Sequence, residues 1–452
     1  MVALAVVIVL LVVGSLIFHF ASPWQFTPLA SNWDTIDFTV GVTFWVCGIV
    51  FVIVNLFTAY CVWRFRARKG NKAHYEPEST KLEISLTAIT TIGVAAMLTP
   101  GLFVWGEFVT VPDNATEIEA IGKQWHWSFR LPGADNMMGA SDVRHMSVNN
   151  PLGVDPEDPN GRDDVIIANP ILHLPVGKPV KALLRSTDVL HNFAVPQFRV
   201  KMDLVPGMVT FQWFTPTVPG TYEILCEELC GMAHFAMRGK VVVDEQPAYD
   251  AWLAAQSTFA ATQARPAGNA SIGAANFAVC SACHGAQGEG NQQLNAPKLA
   301  GLDGWYIRHQ MQNYQRQIRG TNPGDTFGVQ MAPMAQLVAD PATLENVIAH
   351  IGTLPNNASP VTVTGDAERG RRMFTTCTAC HGESGAGRWG TNAPRLAGMN
   401  DWYLVRQLQY FKDGVRGSHA DDVYGDQMTM MANILSADHA IEDVVAYINT
   451  LR

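Results

Sequence analysis

The sequence is poor in charged residues. Only 16% of its 452 residues are Asp, Glu, Lys or Arg, whereas a soluble globular protein carries about 25%. The shortfall predicts that part of the chain lies in lipid, although a mean hydropathy of +0.06 excludes a chain that is embedded throughout. The sequence also lacks a basic excess, because its net charge is −9. A nucleic-acid binder, which needs a basic face, is therefore excluded.

Three long apolar stretches account for the low charge, at about residues 2–20, 38–63 and 84–108. Each is long enough to cross a hydrocarbon core of about 30 Å as a helix. The basic segment RFRARKGNK lies between the second and third stretches, and the positive-inside rule places it in the cytoplasm. The first stretch has no basic residues before it, which favours a retained helix over a cleaved signal peptide. We expect residues 1–108 to be a multi-pass anchor in a bacterial-type inner membrane, with the rest on the periplasmic side.

Residues 109–255 have a different character, with short β-branched runs separated by Pro and Gly. This pattern predicts a β-sandwich or barrel. One set of soft and imidazole donors stands out in it: Cys226, Cys230, His234 and Met237 lie within twelve residues, and His191 is a more distant fifth member. Two thiolates, two imidazoles and one thioether suit copper, and the second cysteine indicates two coppers bridged by two thiolates. Structural zinc is a poorer interpretation because zinc sites use Cys, His and carboxylate ligands, and a disulfide would leave the other three residues unexplained.

The segments CEELCGMAHFAM, DVLHNFAVP and KMDLVPG resemble subunit II of the haem–copper cytochrome c oxidases. The resemblance covers about residues 38–255 and implies a cupredoxin-like fold after transmembrane helices. It implies that the five donors bind the dinuclear CuA centre, with the backbone carbonyl of Glu228 as a further ligand. It also implies that the Glu228 side chain is a candidate ligand for magnesium or manganese at the boundary with subunit I.

The same resemblance suggests two further roles. The segment IGKQWHWSFRLPG is similar to the aromatic stretch of the family, so Trp125 is a candidate for electron entry from cytochrome c, and Trp127 is expected to be a core residue. The family usually has Tyr where this chain has His126. KLEISLTAIT is similar to the start of the family's second helix, which makes Glu83 a candidate for the entrance of a proton channel. A solvated helix end is the alternative for Glu83.

An internal repeat with a constant offset of 97 residues fills the C-terminal part of the chain. CSACHG recurs as CTACHG, and APKLAGLDGWY recurs as APRLAGMNDWY, which indicates a tandem duplication. C-x-x-C-H is the attachment motif of c-type haem, in which both thiols bind the haem and the histidine binds iron. Two covalently bound haems are therefore predicted, on the residues Cys280, Cys283, His284, Cys377, Cys380 and His381.

The second axial ligand of each haem is expected to be a methionine. The candidates are in MAPM and MTMM, each before a helix that is predicted to begin at a capping Asp340 or Ser436. In single-domain cytochromes c the ligand lies about eight residues before that cap, which favours Met428 and, through the offset, Met331. Met334 and Met431 stay open as alternatives.

The two repeats resemble dihaem cytochromes c with paired all-α class I domains. We expect a linker at 256–272, a first domain at 273–355, a linker at 356–369 and a second domain at 370–452. The remaining histidines of this part are expected to be surface residues: His309, His350, His419 and His439.

The order of these parts predicts the electron-input subunit of a proton-pumping terminal oxidase. Electrons would pass from the haems to the copper pair and on to subunit I, with subunit III as a further partner and cytochrome c or an upstream respiratory complex as donor. The three apolar stretches contain one histidine, His19, so the oxygen site is expected in subunit I. A subunit of a membrane nitric oxide reductase and a membrane-anchored electron carrier remain as alternatives.

Overall fold

A computed structural model describes residues 2–22, 27–70, 72, 75, 77–264 and 267–452. Residue 71 of the predicted cytoplasmic segment and residues 265–266 of the predicted linker lie outside this range. Three apolar helices come first, α1 (Val2–Ala21), α2 (Asp34–Arg64) and α3 (Thr80–Val109), and each is long and apolar enough to cross a membrane. The predicted N-terminal apolar helices are confirmed, and α2 and α3 extend several residues beyond the apolar stretches at their N-terminal ends.

The predicted β-sandwich is also confirmed, with its strands between residues 116 and 244; we call residues 109–255 the β domain. Its ten strands are β1 (Thr116–Lys123), β2 (His126–Leu131), β3 (Val165–Ile167), β4 (Ile171–Pro175), β5 (Val180–Ser186), β6 (His191–Val195), β7 (Val200–Leu204), β8 (Thr210–Phe214), β9 (Gly220–Cys226) and β10 (Arg238–Asp244). They form two five-stranded sheets in the orders β3-β2-β1-β5-β8 and β4-β10-β9-β6-β7. One apolar core between the sheets includes Trp127, Phe193 and Phe214, each 0% exposed.

The membrane helices are attached to the β domain at one end of the sandwich. Trp33, just before α2, is 1% exposed and donates its indole N–H to the carbonyl of Trp213 at 3.0 Å. Arg199 forms an ion pair with Asp37 of α2 at 2.6 Å. These contacts fix the β domain against the start of α2.

The helical part follows two short helices, α4 (Gln246–Ala254) and α5 (Phe259–Gln263). The first helical domain (residues 270–355) contains α6 (Ala270–His284), α7 (Gly304–Gln315), α8 (Thr326–Gln336) and α9 (Pro341–Ile351). The second helical domain (residues 367–452) contains α10 (Ala367–His381), α11 (Asp401–Lys412), α12 (Val423–Ala432) and α13 (Ala440–Ile448). Both domains begin three residues before the predicted boundaries, and α5 lies inside the segment that was predicted to be a linker.

One capping prediction is wrong. Asp340 caps α9 as expected, because its side chain accepts the backbone N–H of Thr343. Ser436 does not cap α13, which begins at Ala440 after His439. The residue that matches Asp340 in the repeat is Ala437, whose methyl group cannot accept a hydrogen bond, so the second helix starts later. The eight-residue spacing that favoured Met428 therefore does not apply in the structure.

The two helical domains pack against each other through a buried polar network. Arg319 donates to Gln310 at 2.6 Å and to Gln407 of the other domain at 3.1 Å. Its counterpart Arg416 donates to Gln407 at 2.6 Å and to Gln310 at 2.9 Å. Each arginine thus donates to one glutamine of its own domain and to one glutamine of the other domain. These crossed hydrogen bonds join the two repeats.

The connection between the helical domains is fixed by a buried lysine. The ammonium group of Lys298 donates to the side chain of Asn356 at 2.9 Å, the carbonyl of Asn357 at 2.6 Å and the carbonyl of Gly398 at 2.9 Å. The three acceptors satisfy the three donors of the ammonium group. This lysine therefore joins the first domain, the connecting segment and the second domain.

Candidate electron-transfer site

The five predicted copper ligands converge at one end of the β domain. His191 is the first residue of β6, Cys226 is the last residue of β9, and the other three lie in the loop before β10. The two cysteine sulfurs are 3.7 Å apart. Nδ1 of His191 lies 3.9 Å from Sγ of Cys226, and Nδ1 of His234 lies 3.4 Å from Sγ of Cys230.

Two weaker donors complete the cluster. The sulfur of Met237 lies 3.8 Å from Sγ of Cys230, and the backbone carbonyl of Glu228 lies 3.2 Å from Sγ of Cys226. A disulfide would hold the cysteine sulfurs at about 2.05 Å, so the observed separation leaves both thiols free to bind metal. The soft, mostly buried donor set fits copper, which favours thiolate, thioether and imidazole ligands.

The Cys226 and Cys230 thiols lose their first proton easily, but the second proton is hard to remove. The neighbouring Cys230 thiol, by hydrogen bonding, lowers the pKa of Cys226 to about 3. The same interaction with Cys226 raises the pKa of Cys230, and burial raises it further. Two adjacent thiolates therefore need a positive charge between them, which bound metal ions supply.

Asp188 is a residue of this site that the sequence reasoning missed. Its carboxylate accepts a hydrogen bond from Nε2 of His191 at 2.9 Å, so the opposite ring nitrogen faces the cysteines. A carboxylate in this position fixes the ring orientation and the tautomer of a metal-binding histidine. The available signal was an acidic residue three positions before the histidine in STDVLH.

Gly231 allows the ligand loop to pass close to the turn between β1 and β2. It has a φ of +120°, which side-chain-bearing residues rarely adopt. A Cβ at this position would lie 2.8 Å from Nε2 of Gln124 and 3.1 Å from the ring of Trp125. The loop is held there because Gln124 and Trp125 both donate side-chain hydrogen bonds to the carbonyl of Cys230.

The two C-x-x-C-H motifs lie at the C-terminal ends of α6 and α10. His284 and His381 are buried, and Nδ1 of each bonds a proline carbonyl, that of Pro297 at 2.7 Å and that of Pro394 at 2.8 Å. These bonds leave Nε2 of each ring available to bind iron. Burial lowers the pKa of both histidines, which favours the neutral, metal-binding form.

One continuous cavity runs through both helical domains and reaches both motifs. All six haem-attachment residues line it, and so do all four candidate methionines. Met331 and Met428 are half-buried, whereas Met334 is 37% exposed and Met431 packs against the core of the β domain. A mostly apolar cavity with two cysteines and one histidine on each half fits two covalently bound haems.

The second helical domain is docked directly on the copper site. Gln427 of α12 donates to the carbonyl of Trp125 at 2.7 Å and to that of Ala236 at 3.2 Å. Cys380, Met430 and Met431 pack against the same apolar core that contains the copper ligands. Trp125 is only 6% exposed, and its backbone carbonyl is covered by Gln427 of the chain's own second helical domain.

An aromatic contact joins all three domains at the edge of this interface. The hydroxyl of Tyr424 in α12 lies 3.2 Å from Nε2 of His126 and donates to the carbonyl of Ala168 at 2.8 Å. The ring of His309 in the first helical domain packs edge-on against Tyr424 at 5.4 Å. The prediction that His309 is a surface residue is therefore wrong, because this ring lines the cavity and burial lowers its pKa.

The two candidate glutamates lie apart from these centres or at their edge. Glu83 is in the first turn of α3 and is exposed. Glu228 is half-buried in the loop between β9 and β10. Among the described residues, one group of His, Cys and acidic side chains has ligand atoms close enough together to bind a single metal ion. It consists of His191, Cys226 and Cys230, whose ligand atoms lie within 4.8 Å of one another.

Comparisons with known proteins match each part of this arrangement. The family model of the cytochrome c oxidase subunit II periplasmic domain matches residues 116–245, and the family model of cytochrome c matches residues 270–355 and 367–452. Alternative cytochrome c oxidase subunit 2 of Bradyrhizobium diazoefficiens is 56% identical over 265 residues, which are 59% of this chain and 96% of that protein. The alignment covers the N-terminal part of the chain.

Two solved structures are also similar. The periplasmic domain of subunit II of cytochrome oxidase from Bradyrhizobium japonicum is 28% identical, with a TM-score of 0.23, and the match covers 32% of this chain and 95% of that one. Reduced recombinant cytochrome c4 from Pseudomonas stutzeri is 28% identical, with a TM-score of 0.34, and the match covers 41% of this chain and all of that one.

Proposed function

Because the chain belongs to the cytochrome c oxidase subunit II family, we propose that it is the electron-input subunit of a proton-pumping haem–copper oxidase that carries its own electron donors. When bound by the residues named below, haem c and the CuA centre would supply one-electron redox chemistry, which would allow electrons to reach subunit I. The observation that carries the proposal is the docking of the second helical domain: Gln427 bonds the carbonyl of Ala236 in the copper-ligand loop, and Met430 and Met431 pack against the β-domain core.

The residues of the chain would hold these groups as follows. The copper pair would be bound by the side chains of His191, Cys226, Cys230, His234 and Met237 and by the carbonyl of Glu228. The first haem would be bound by Cys280, Cys283, His284 and Met331. The second would be bound by Cys377, Cys380, His381 and Met428. Met331 is half-buried whereas Met334 is exposed, and Met431 packs against the core of the β domain, which supports Met331 and Met428 as the ligands.

The membrane part supports a subunit rather than a complete oxidase. The sequences of α2 and α3 contain no histidine, and oxygen reduction requires histidines that hold a haem and a copper in the membrane. We place oxygen reduction in subunit I, with subunit III as a further partner. The haem and copper domains would lie on the periplasmic side of the inner membrane. Glu83 would lie at a proton-channel entrance, and the Glu228 side chain would help bind magnesium or manganese.

The test is purification of the full chain with its membrane partners. We expect two copper ions and two covalently bound haems per chain, together with oxygen consumption that follows oxidation of the haems. The variant Cys226→Ser should abolish the near-infrared absorption of a mixed-valence copper pair. The variant Cys61→Ser is the matched control, because it makes the same change at a half-buried cysteine of α2.

Three outcomes would contradict the proposal. One copper per chain with the blue spectrum of a single-cysteine site would exclude a dinuclear centre. Turnover of nitric oxide without oxygen consumption would assign the subunit to a nitric oxide reductase. Reduction of the haems and copper without a stable membrane partner would leave a membrane-anchored electron carrier.

A further inference from the structure

The two helical domains present the same face to different surroundings. In the second domain this face contacts the β domain through Ala379, Cys380, Gln427, Met430 and Met431. The residues 97 positions earlier form what we call the open face: Ala282, Cys283, Gln330, Pro333 and Met334. All five residues of the open face are exposed, whereas their five counterparts are half-buried.

The open face lies at the edge of the haem cavity. Cys283 belongs to the attachment motif of the first domain, and both Cys283 and Met334 line the cavity as well as the surface. The equivalent residues of the second domain, Cys380 and Met431, lie at its contact with the β domain. Because the two copies are related by one offset without an insertion, the open face should approach the first haem as closely as the covered face approaches the second.

Trp125, the electron-entry position that the family resemblance implies, is closed to an external donor in this chain. Trp125 is 6% exposed, and its backbone carbonyl is occupied by Gln427. The nearby Lys123 lies over the ring of Trp389 of the second domain at 5.3 Å. A soluble protein therefore cannot contact Trp125 while the second domain is docked.

We propose that the external electron donor docks on the open face of the first helical domain, and that electrons then pass through the second helical domain to the copper site. The inference rests on the proposed function, since it requires haems in both domains. One electron leaves the ferrous haem of the donor, which becomes ferric, and reduces the ferric haem of the first domain. No proton is transferred and no bond is broken.

The composition of the open face indicates the kind of partner. None of its five residues is charged, so the contact depends on apolar burial rather than on ion pairs. On the covered face, Gln427 bonds backbone carbonyls while the methionines pack against apolar groups. The partner that fits is a c-type cytochrome whose haem edge is surrounded by uncharged, apolar residues.

The experiment uses the full chain with its haems and copper bound, in detergent. The probe is a reduced, soluble class I cytochrome c with an uncharged haem edge, mixed in a stopped-flow instrument. The haem bands and the near-infrared copper band are followed separately. Binding of the oxidised probe is measured in parallel by calorimetry, where no electron moves. For the unmodified chain we expect the rate to change by less than about threefold between low and physiological salt, because uncharged contacts are not screened.

The variant Gln330→Glu/Pro333→Glu places two negative charges on the open face. It should slow reduction by the probe, and weaken binding, by about tenfold or more, because the charges would be desolvated without partners. The control variant Gln312→Glu/Pro341→Glu changes the same two residue types at exposed positions elsewhere in the first domain. It should leave both quantities within about twofold of the unmodified chain.

Several results would overturn the inference. Equal rates and affinities for the two variants would remove the open face as the docking site. A steep fall with salt in the rate at which the probe reduces the unmodified chain would also exclude the open face. This measurement needs no variant, so it remains decisive if a variant fails to fold. Failure of the proposed function has a different appearance: the haem bands would change normally, but the copper band would not follow.

Discussion

The hydrogen bond between Asp188 and His191 offers the sharpest test of the copper site. The side chain of His191 is 0% exposed, and its Nε2 lies 2.9 Å from the carboxylate of Asp188. In the variant Asp188→Ala the buried N–H loses its acceptor. Leaving a buried donor unsatisfied costs about 1–3 kcal/mol, and 1.4 kcal/mol corresponds to a factor of ten.

We therefore expect Asp188→Ala to lower the copper affinity of the full chain by about 10- to 100-fold, the range found when outer partners of metal-binding histidines are removed. The variant Asp188→Asn should lose less, because its amide oxygen can still accept the hydrogen bond. Affinity is measured by competition with a copper chelator, and electron paramagnetic resonance reports whether the two coppers still share one electron.

The control for this prediction is Glu227→Ala. Glu227 lies in the same ligand loop and pairs with the exposed Lys201 at 3.2 Å, so the variant removes an equal charge without touching a ligand. Its copper affinity should stay within about twofold of the original. An Asp188→Ala affinity as high as that of Glu227→Ala would refute the positioning role of Asp188.

Three other predictions concern the helical domains. Met331→His and Met428→His should each lower one of the two haem potentials while covalent attachment is kept; potentiometry that shows no change would shift the ligand to the neighbouring methionine. Arg319→Ala removes hydrogen bonds from a buried charged group to both domains. The free energy of unfolding of the helical part should therefore fall by about 2–3 kcal/mol or more, as measured by thermal melting of the full chain. An unchanged melting temperature would contradict a stabilising role for this network. Gln427→Ala should weaken the docking of the second domain by about 1–3 kcal/mol, since two hydrogen bonds are lost, and faster hydrogen exchange of the amides around Trp125 would show it. Gln330→Ala, the same change in the first domain, should leave that exchange unaltered.

The local parts of the site could be predicted because their residues are close in sequence. Cys226 to Met237 form one short loop, and each C-x-x-C-H motif ends one helix. The helix ends were harder to predict. Apolar content marks the part of α2 suited to lipid, but its first turn contains Asp34 and Asp37, which are favourable at a helix N-terminus and extend the helix beyond the apolar stretch.

The docking of the domains could not be predicted, because it depends on surfaces that are far apart in the sequence. Ala282 and Ala379 are identical residues in matching motifs, yet one is exposed and the other packs against the β domain. No local pattern distinguishes them. Asp188 was missed for a related reason, since an acidic residue before a histidine is common and only the fold directs it to the buried ring.

The covered position of Trp125 has a consequence for kinetics. The second helical domain is part of the same chain as the copper site, so its local concentration there is fixed by the connecting segments and not by the supply of a soluble protein. Tethering of this kind corresponds to an effective concentration on the order of millimolar for a flexible connection. On the proposed electron path, transfer from the second haem to the copper pair would then be a unimolecular event, and a shortage of soluble donor would slow only the loading of the first domain.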